Sequence, residues 1–324
     1  YDISLGLVGS EMCIRDRYQT NHVIGRLRQI YPDREFEVVT VRTQGDINTD
    51  ASLEGMGLGV FVNEIERLLL DGEIDMAVHS LKDLPTTLPD GLALGAMLRR
   101  EDPRDVLVNR WNSPLSQLPE GARIGTGSPR RRVLMNTLCP QATVLPIRGN
   151  VDTRLRKGQG EDYDGVVLAA AGLIRLGLTE HIAEYLSPQR FVPPPGQGVL
   201  AVEIRAEDHR TQDMLRIIEH TNTRLAVTAE RAFLEKLGGG CQLPMGAYAR
   251  EEGEILYLTI FLSSPDGKKA FRAKIDGLTM DPLQLAADAY LAVVERGGHE
   301  LVKAVRPQQE YTCLLYTSPS PRDR

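Results

Sequence analysis

The feature that most constrains this chain is a middle stretch in which short apolar runs alternate with amphipathic ones. Between about residues 104 and 192, "ARIGTGS" leads into "PRRRVLMNTL", "ATVLPIR" into "NVDTRLRKG", and "YDGVVLAAAG" into "LIRLGL". The apolar runs lack the polar–apolar alternation of a strand with one wet face. Their sheet is therefore expected to be parallel and covered on both sides. Ser128, just before Pro129, reads as an N-cap with proline at the first helical position. The region up to about residue 98 alternates in the same way. "FEVVTV" reads as a strand, and "GVFVNEIERLLLDG" places Val60, Phe61, Ile65, Leu68 and Leu69 on one helical face and closes on Gly72. "DMAVHS" is a short buried strand that breaks into the turn "LKDLP".

Proline-rich "FVPPPGQG" (191–198) marks a crossing, and the strand "VLAVEIR" after it is expected to return to the first domain. From about residue 221 the pattern changes. A long helix, "TRLAVTAERAFLEKL", runs into "GGGCQLPMG", and a hairpin pattern follows in "EILYLTIFLSS", "PDGKK" and "AFRAKIDG". Helices near 282–296 and 298–305 complete a small α+β unit. No internal repeat is visible in the sequence. The ends, "YDISLGLVGSEMCIRDR" (1–17) and "CLLYTSPSPRDR" (313–324), resemble translated adapter or cloning sequence and are expected to be non-native flanks outside the fold.

Composition excludes several classes of function. No run approaches the roughly 18 apolar residues of a membrane span, so no membrane partner is expected. Cys13, Cys139, Cys241 and Cys313 are far apart with no CxxC pair. That speaks against a metal site or a disulfide framework and for a reduced, cytoplasmic protein. A net charge of −6, one Trp and six Phe leave little for nucleic acid to bind or stack on. Within that acidic chain, residues 123–175 hold nine Lys and Arg against four Asp and Glu. A basic segment of this kind suggests a focused anion site.

The candidate residues cluster at the C-terminal ends of the expected strands, where open α/β sheets bind ligands. Arg130, Arg131 and Arg132 open a helix after "GTGS". Arg148 and Arg154 flank the next helix start, and Arg175 follows the last strand. They read either as a solvated basic face or as a cradle for carboxylates or phosphates. His79, Ser80, Lys82 and Asp83 come directly off a buried strand. They form either a polar turn or a carboxylate beside a cation that can stabilise positive charge or move protons. Cys241 sits behind three glycines, which leave space beside the thiol for something bulky. "GQG" (196–198) lacks the lysine of a phosphate loop.

Taken together, "AVHSLKDLP", "REDPRDVLV", "IGTGSPRRR", "IRGNVDTRL", "LAAAGLIRLG", "PPGQGVLAVE", "TAERAFLEKLGGGCQLPMGAYA" and "SPDG" resemble the porphobilinogen deaminase (hydroxymethylbilane synthase) family, in the family's order over about residues 18–306. The resemblance implies an α/β fold of two periplasmic-binding-protein-like, doubly wound domains plus a small α+β C-terminal domain. Domain 1 would be 18–98 with 199–216, domain 2 would be 104–192, and the C-terminal domain 221–306.

It also implies a transferase that joins four porphobilinogen molecules head to tail, releasing ammonia, on a dipyrromethane cofactor linked by a thioether to Cys241. The product, hydroxymethylbilane, would pass to uroporphyrinogen-III synthase, and the chain is expected to be a monomer. By match, Asp83 is the catalytic carboxylate. Ser80, Lys82, Thr126, Ser128, Arg130, Arg131, Arg148, Arg154, Arg175 and Gln197 bind the acetate and propionate groups of cofactor or substrate. Exchanging Arg131 or Arg148 for Leu is therefore expected to spare stability and cripple elongation. The family begins with a strand and an Arg-x-Ser-Pro-Leu-Ala loop where this chain has "VGSEMCIRDR". A strand of the first sheet, and an arginine and a serine of the site, are expected to be missing, with activity reduced accordingly. Leu58 stands where many members carry lysine. A non-catalytic two-lobed anion-binding protein would use the same arginines but has no role for Asp83 or Cys241. A thiol hydrolase would need a base histidine, for which His79 is the nearest candidate.

Overall fold

The computed structural model describes residues 3–8, 14–41, 63–238, 244–298 and 300–301. Cys241, Leu58 with its glycine loop, and most of both ends lie outside the described residues. In chain order the first region contains β1 (Ile3–Val8), α1 (Ile14–Ile30), β2 (Phe36–Val41), α2 (Asn63–Leu70), β3 (Met76–Ser80) and β4 (Leu92–Met97). The second contains β5 (Asp105–Asn109), β6 (Arg123–Gly125), α3 (Pro129–Leu138), β7 (Thr143–Leu145), α4 (Val151–Lys157), β8 (Gly165–Ala169), α5 (Ala170–Leu176) and β9 (Glu184–Tyr185). Next come β10 (Leu200–Arg205) and α6 (His209–Leu215). The chain goes on through α7 (Thr221–Lys236), β11 (Met245–Glu252), β12 (Ile255–Ser263), β13 (Ala270–Leu278) and α8 (Pro282–Val293).

These strands form three sheets, ordered β2-β1-β3-β10-β4, β7-β6-β8-β5-β9 and β11-β12-β13. The first two have the same plan. In each, three parallel strands are followed by one that runs antiparallel to both of its neighbours, β10 in the first lobe and β5 in the second. The sheets are therefore mixed, not parallel throughout as their apolar runs suggest. The reason is where β5 and β10 come from. Each enters just after the chain has crossed from the other lobe, so it needs no helical crossover and can pair antiparallel. The repeat invisible in the sequence is thus a repeat of topology.

The N-terminus departs from expectation as well. Ile3–Val8 is a strand of the first sheet, parallel to β2 from Ile3↔Phe36 to Val8↔Val41 and to β3 from Leu5↔Met76 to Leu7↔Val78. α1 already begins at Ile14. Ile3–Val8 therefore belongs to the first sheet, which has a strand at this position. A slot between two parallel strands asks for a short apolar run, and "ISLGLV" supplies one.

Helices close each core. In the first lobe Val23 and Leu27 of α1 pack with Val78 of β3, Val202 of β10 and Leu215 of α6. In the third unit Phe233 of α7 and Leu285 of α8 cover Leu258 and Ile260 of β12. Full burial of one such side chain contributes roughly 1.5–3 kcal/mol.

Candidate active site

Two glycines in the second crossing set how closely it approaches Leu81 and the segment at Glu101. Gly196 and Gly198 have left-handed backbones (φ +72° and +89°). A Cβ at Gly196 would lie 3.0 Å from the Leu81 side chain, and one at Gly198 would lie 2.5 Å from the Glu101 carbonyl. "GQG" is conformational, serving the crossing strand pair rather than a phosphate. Beside it a cavity opens at the junction of the lobes. The first lobe contributes Gln19, Ser80 and Lys82, and the second contributes Arg131, Asn150, Arg154 and Arg175. Gly196, Gln197 and Gly198 form its floor. Among the described residues the lining contains four cationic side chains and no Asp or Glu.

Each of these side chains is positioned by its own element. Ser80 ends β3, and its hydroxyl donates to Gln19 Oε1 at 3.2 Å. Lys82 is in the single 3-10 turn Leu81–Asp83 and reaches Gln197 Oε1 at 3.4 Å. Gln197, fully buried, donates from Nε2 to the Pro103 carbonyl (2.8 Å) and to Asp105 Oδ1 (3.0 Å). Arg175 donates to the Gly198 carbonyl (2.8 Å), and Arg154 donates from Nε to the Gly149 carbonyl (2.6 Å).

Arg131 is both wall and anchor. From Nε and NH2 it grips Asp105 Oδ1 (3.1 and 2.6 Å), and from NH1 it donates to the Val167 carbonyl. Asp105, fully buried, also accepts from Arg130 NH2 at 2.7 Å. Burial alone would push the Asp105 carboxyl up. Arg130 and Arg131 outweigh it and hold the group down at about 2.

Several expected ligands are placed elsewhere. Arg130 is buried behind the wall, bonded to Asp105 and to the Val192 carbonyl, and does not line the cavity. Its role here is to compensate a buried carboxylate, because a charge so deep needs a partner. Ser128 caps α3, its side chain accepting from Arg131 N, and Thr126 Oγ1 accepts from Ser128 N at 3.2 Å. Both hydroxyls are used to start the helix. Arg148 is exposed, outside the lining, and contributes its carbonyl to Lys157 Nζ. Asp83 is half-buried on the turn that carries Lys82.

Gln19 was missed in the sequence. It is 3% exposed, lines the cavity, and its Nε2 is buried without an acceptor among the described residues. Only its helix position could have hinted at this, since α1 has no motif at that point.

The fold and the lining define a class, a two-lobed α/β protein whose cleft suits a ligand carrying several negative charges. The chain belongs to the porphobilinogen deaminase family. Residues 3–213 match the model described as porphobilinogen deaminase, dipyromethane cofactor binding domain, and residues 224–291 match porphobilinogen deaminase, C-terminal domain. The porphobilinogen deaminase of Syntrophus aciditrophicus is 41% identical over 95% of this chain and 100% of its own length. That of Thermus thermophilus is 43% identical over 94% and 99%. Likeness to solved structures is weaker. An ABC transporter from Parabacteroides distasonis is 14% identical with a TM-score of 0.40, covering 95% of this chain and 97% of that one. The family assignment therefore rests on the family models and the sequence relatives.

Proposed function

We propose that the cavity between the lobes is where this chain carries out the family's reaction, building hydroxymethylbilane from porphobilinogen as a transferase with a dipyrromethane cofactor. The observation that carries the reading is the lining. Porphobilinogen and a cofactor derived from it bear an acetate and a propionate on each ring, and four cations, with no acid among the described lining residues, face them. Each charge-assisted hydrogen bond to a carboxylate is worth about 1.5–3 kcal/mol. The donor set therefore fits the group. Arg131, Arg154, Arg175 and Lys82 would hold its carboxylates, with Ser80 and the unpartnered Gln19 Nε2 as neutral donors. Cys241 would be the attachment point, and the bound cofactor supplies the pyrrole to which the first substrate is joined.

Asp83 has the remaining task. A carboxylate can accept the pyrrole N–H of the substrate and stabilise the positive charge that grows as ammonia leaves. Lys82, next to it on the same turn, is anchored to Gln197 and so to the crossing. Thr126, Ser128 and Arg130 act in this reading by building the wall, and Arg148 by attracting the substrate from the rim.

We also assign the chain to the cytoplasm as a monomer that passes its product to uroporphyrinogen-III synthase. No helix among the described residues is long and apolar enough to cross a membrane. Intact mass tests the central reading. Protein from a tetrapyrrole-producing host should exceed its sequence mass by two pyrrole units and give the dipyrromethane colour with Ehrlich's aldehyde. Cys241→Ser should lose both. A folded chain with an unmodified Cys241 would remove the proposal.

A further inference from the structure

The turn that carries Asp83 is tied at two points. At its front, Leu81 N donates to the Val199 carbonyl at 3.0 Å, which fixes the turn to the second crossing. At its back, three successive carbonyls converge on one guanidinium. Arg231 donates from NH1 to Leu84 O (3.3 Å) and from NH2 to Pro85 O (2.5 Å) and Thr86 O (3.1 Å). Arg231 belongs to α7, in the third unit, and not to either lobe. Burial lowers its pKa, against the opposing influence of Glu235 and Glu203. Desolvating a cation is costly, and at this position its bonds go to carbonyl oxygens instead of a carboxylate. A planar fork meets three acceptors at once, which a lysine's single ammonium cannot do as well.

The neighbouring residue ties the same helix to the crossing. Glu230, fully buried, accepts from Gly196 N (2.7 Å) and Ala249 N (2.7 Å) and pairs with Arg100 (2.5 Å). α7 ends at Lys236, five residues before Cys241. One helix thus holds the floor of the cavity, holds the Asp83 turn, and leads into the segment that carries the thiol.

We propose that Arg231 is a positioning residue for Asp83, clamping the 84–86 carbonyls so that the carboxylate keeps a fixed place relative to the helix leading to Cys241. The inference rests on Asp83 acting as proposed above. Its effect is geometric. Loss of the clamp frees the back of the turn while the front tie to Val199 remains, so Asp83 shifts without the lobe unfolding. A displacement near 1 Å at a reacting group costs on the order of a hundredfold in rate.

The test compares full-length Arg231→Met, Arg231→Lys, Asp83→Asn and the Arg231→Met/Asp83→Asn double variant with the parent. Hydrogen exchange comes first, because it does not depend on turnover. In Arg231→Met the Leu84 amide, which donates to Leu81 O, should exchange at least about tenfold faster, with amides of β10 and β12 unchanged. The mass of the attached cofactor should be that of the parent. Turnover should fall about tenfold to a hundredfold at unchanged KM for porphobilinogen. Arg231→Lys should recover part of it, and the double variant should be no slower than Asp83→Asn alone. Exchange that rises evenly across the third unit, or at no amide of the turn, overturns the clamp. So does a double variant whose losses multiply. If Asp83→Asn alone turns over like the parent, the reading of Asp83 fails instead, and the exchange result still decides whether Arg231 holds the turn.

Discussion

The two lobes share a strand order but handle a buried acid in opposite ways. Each sheet's antiparallel strand carries one fully buried carboxylate, Asp105 on β5 and Glu203 on β10. Asp105 is surrounded by donors, with Arg130, Arg131 and Gln197 all bonded to it. Glu203 pairs with His79 through Oε2 at 2.9 Å, while its Oε1 is buried without a partner among the described residues. The second lobe has thus fixed its acid permanently and uses the same arginines to shape an anion-binding wall. The first keeps a leaner pair, with His79 on the strand that leads through Ser80 into the turn carrying Lys82 and Asp83. The same topology supports charge neutralisation on one side of the cleft and the proposed chemistry on the other.

The most damaging change should be in the second lobe. Asp105→Asn leaves two buried guanidinium groups without their carboxylate, and breaking a buried pair in this way costs about 3–5 kcal/mol. Glu203→Gln removes a charge that has one partner, so its cost should be nearer the 1–3 kcal/mol of a lost buried bond. Denaturant midpoints of the two variants test the contrast, and equal losses would end it.

Next in size is Asp83→Asn. A preorganised electrostatic group of this kind is worth roughly a hundred- to a thousand-fold in rate. The variant should carry its cofactor yet hardly turn over, with a melting temperature close to the parent's. The assay is best run beside a variant carrying the Arg-x-Ser-Pro-Leu-Ala loop expected of the family in place of "VGSEMCIRDR", which by itself should raise activity. Full turnover by the Asn variant would reduce Asp83 to a polar turn residue.

A smaller pair of effects separates Arg131 from Arg148. The sequence suggests that Leu at either position spares stability, and the structure corrects this for Arg131. It is 7% exposed and bonded to Asp105 and Val167, so Arg131→Leu should cost at least about 2 kcal/mol. Exposed Arg148→Leu should stay within about 1 kcal/mol of the parent. Both should slow elongation. Thermal melts beside turnover rates would expose any merging of the two.

The gentlest test is pH. With its carboxyl held at about 2 against the usual 3.8, Asp105 stabilises the fold above pH 4 and loses that contribution as pH falls from about 4 to 2. The shift corresponds to about 2 kcal/mol. Stability measured across that window should slope downward in the parent, and the slope should be shallower in Asp105→Asn.

Signals that operate over a few residues were legible without the fold. The Ser128 cap and the apolar strands could be read from short motifs, whereas Ser80, Lys82, Arg131, Arg154, Arg175 and Gln197, which line the cavity, were singled out as ligands through the family resemblance. Strand direction could not be read. An apolar run looks the same whether its neighbour is parallel or antiparallel, and β5 and β10 owe their direction to the crossings. Nor could the use of Ile3–Val8 be read, because its pairing partners β2 and β3 are brought beside it only by the fold.

By itself the sequence determined where many of the strands and helices form and which family's motifs the chain carries, since periodicity, capping and motif spacing are written locally. Only the tertiary structure decided what each charged group does. Adjacent Arg130 and Arg131 are alike in sequence, yet one is enclosed and the other also faces the cavity. The deciding partner, Asp105, lies 25 residues from Arg130 and 26 from Arg131. Gln197 meets Asp105 across 92 residues and Lys82 across 115. Electrostatic free energy depends on burial and distance in space, and neither is fixed until the two lobes and the crossing come together.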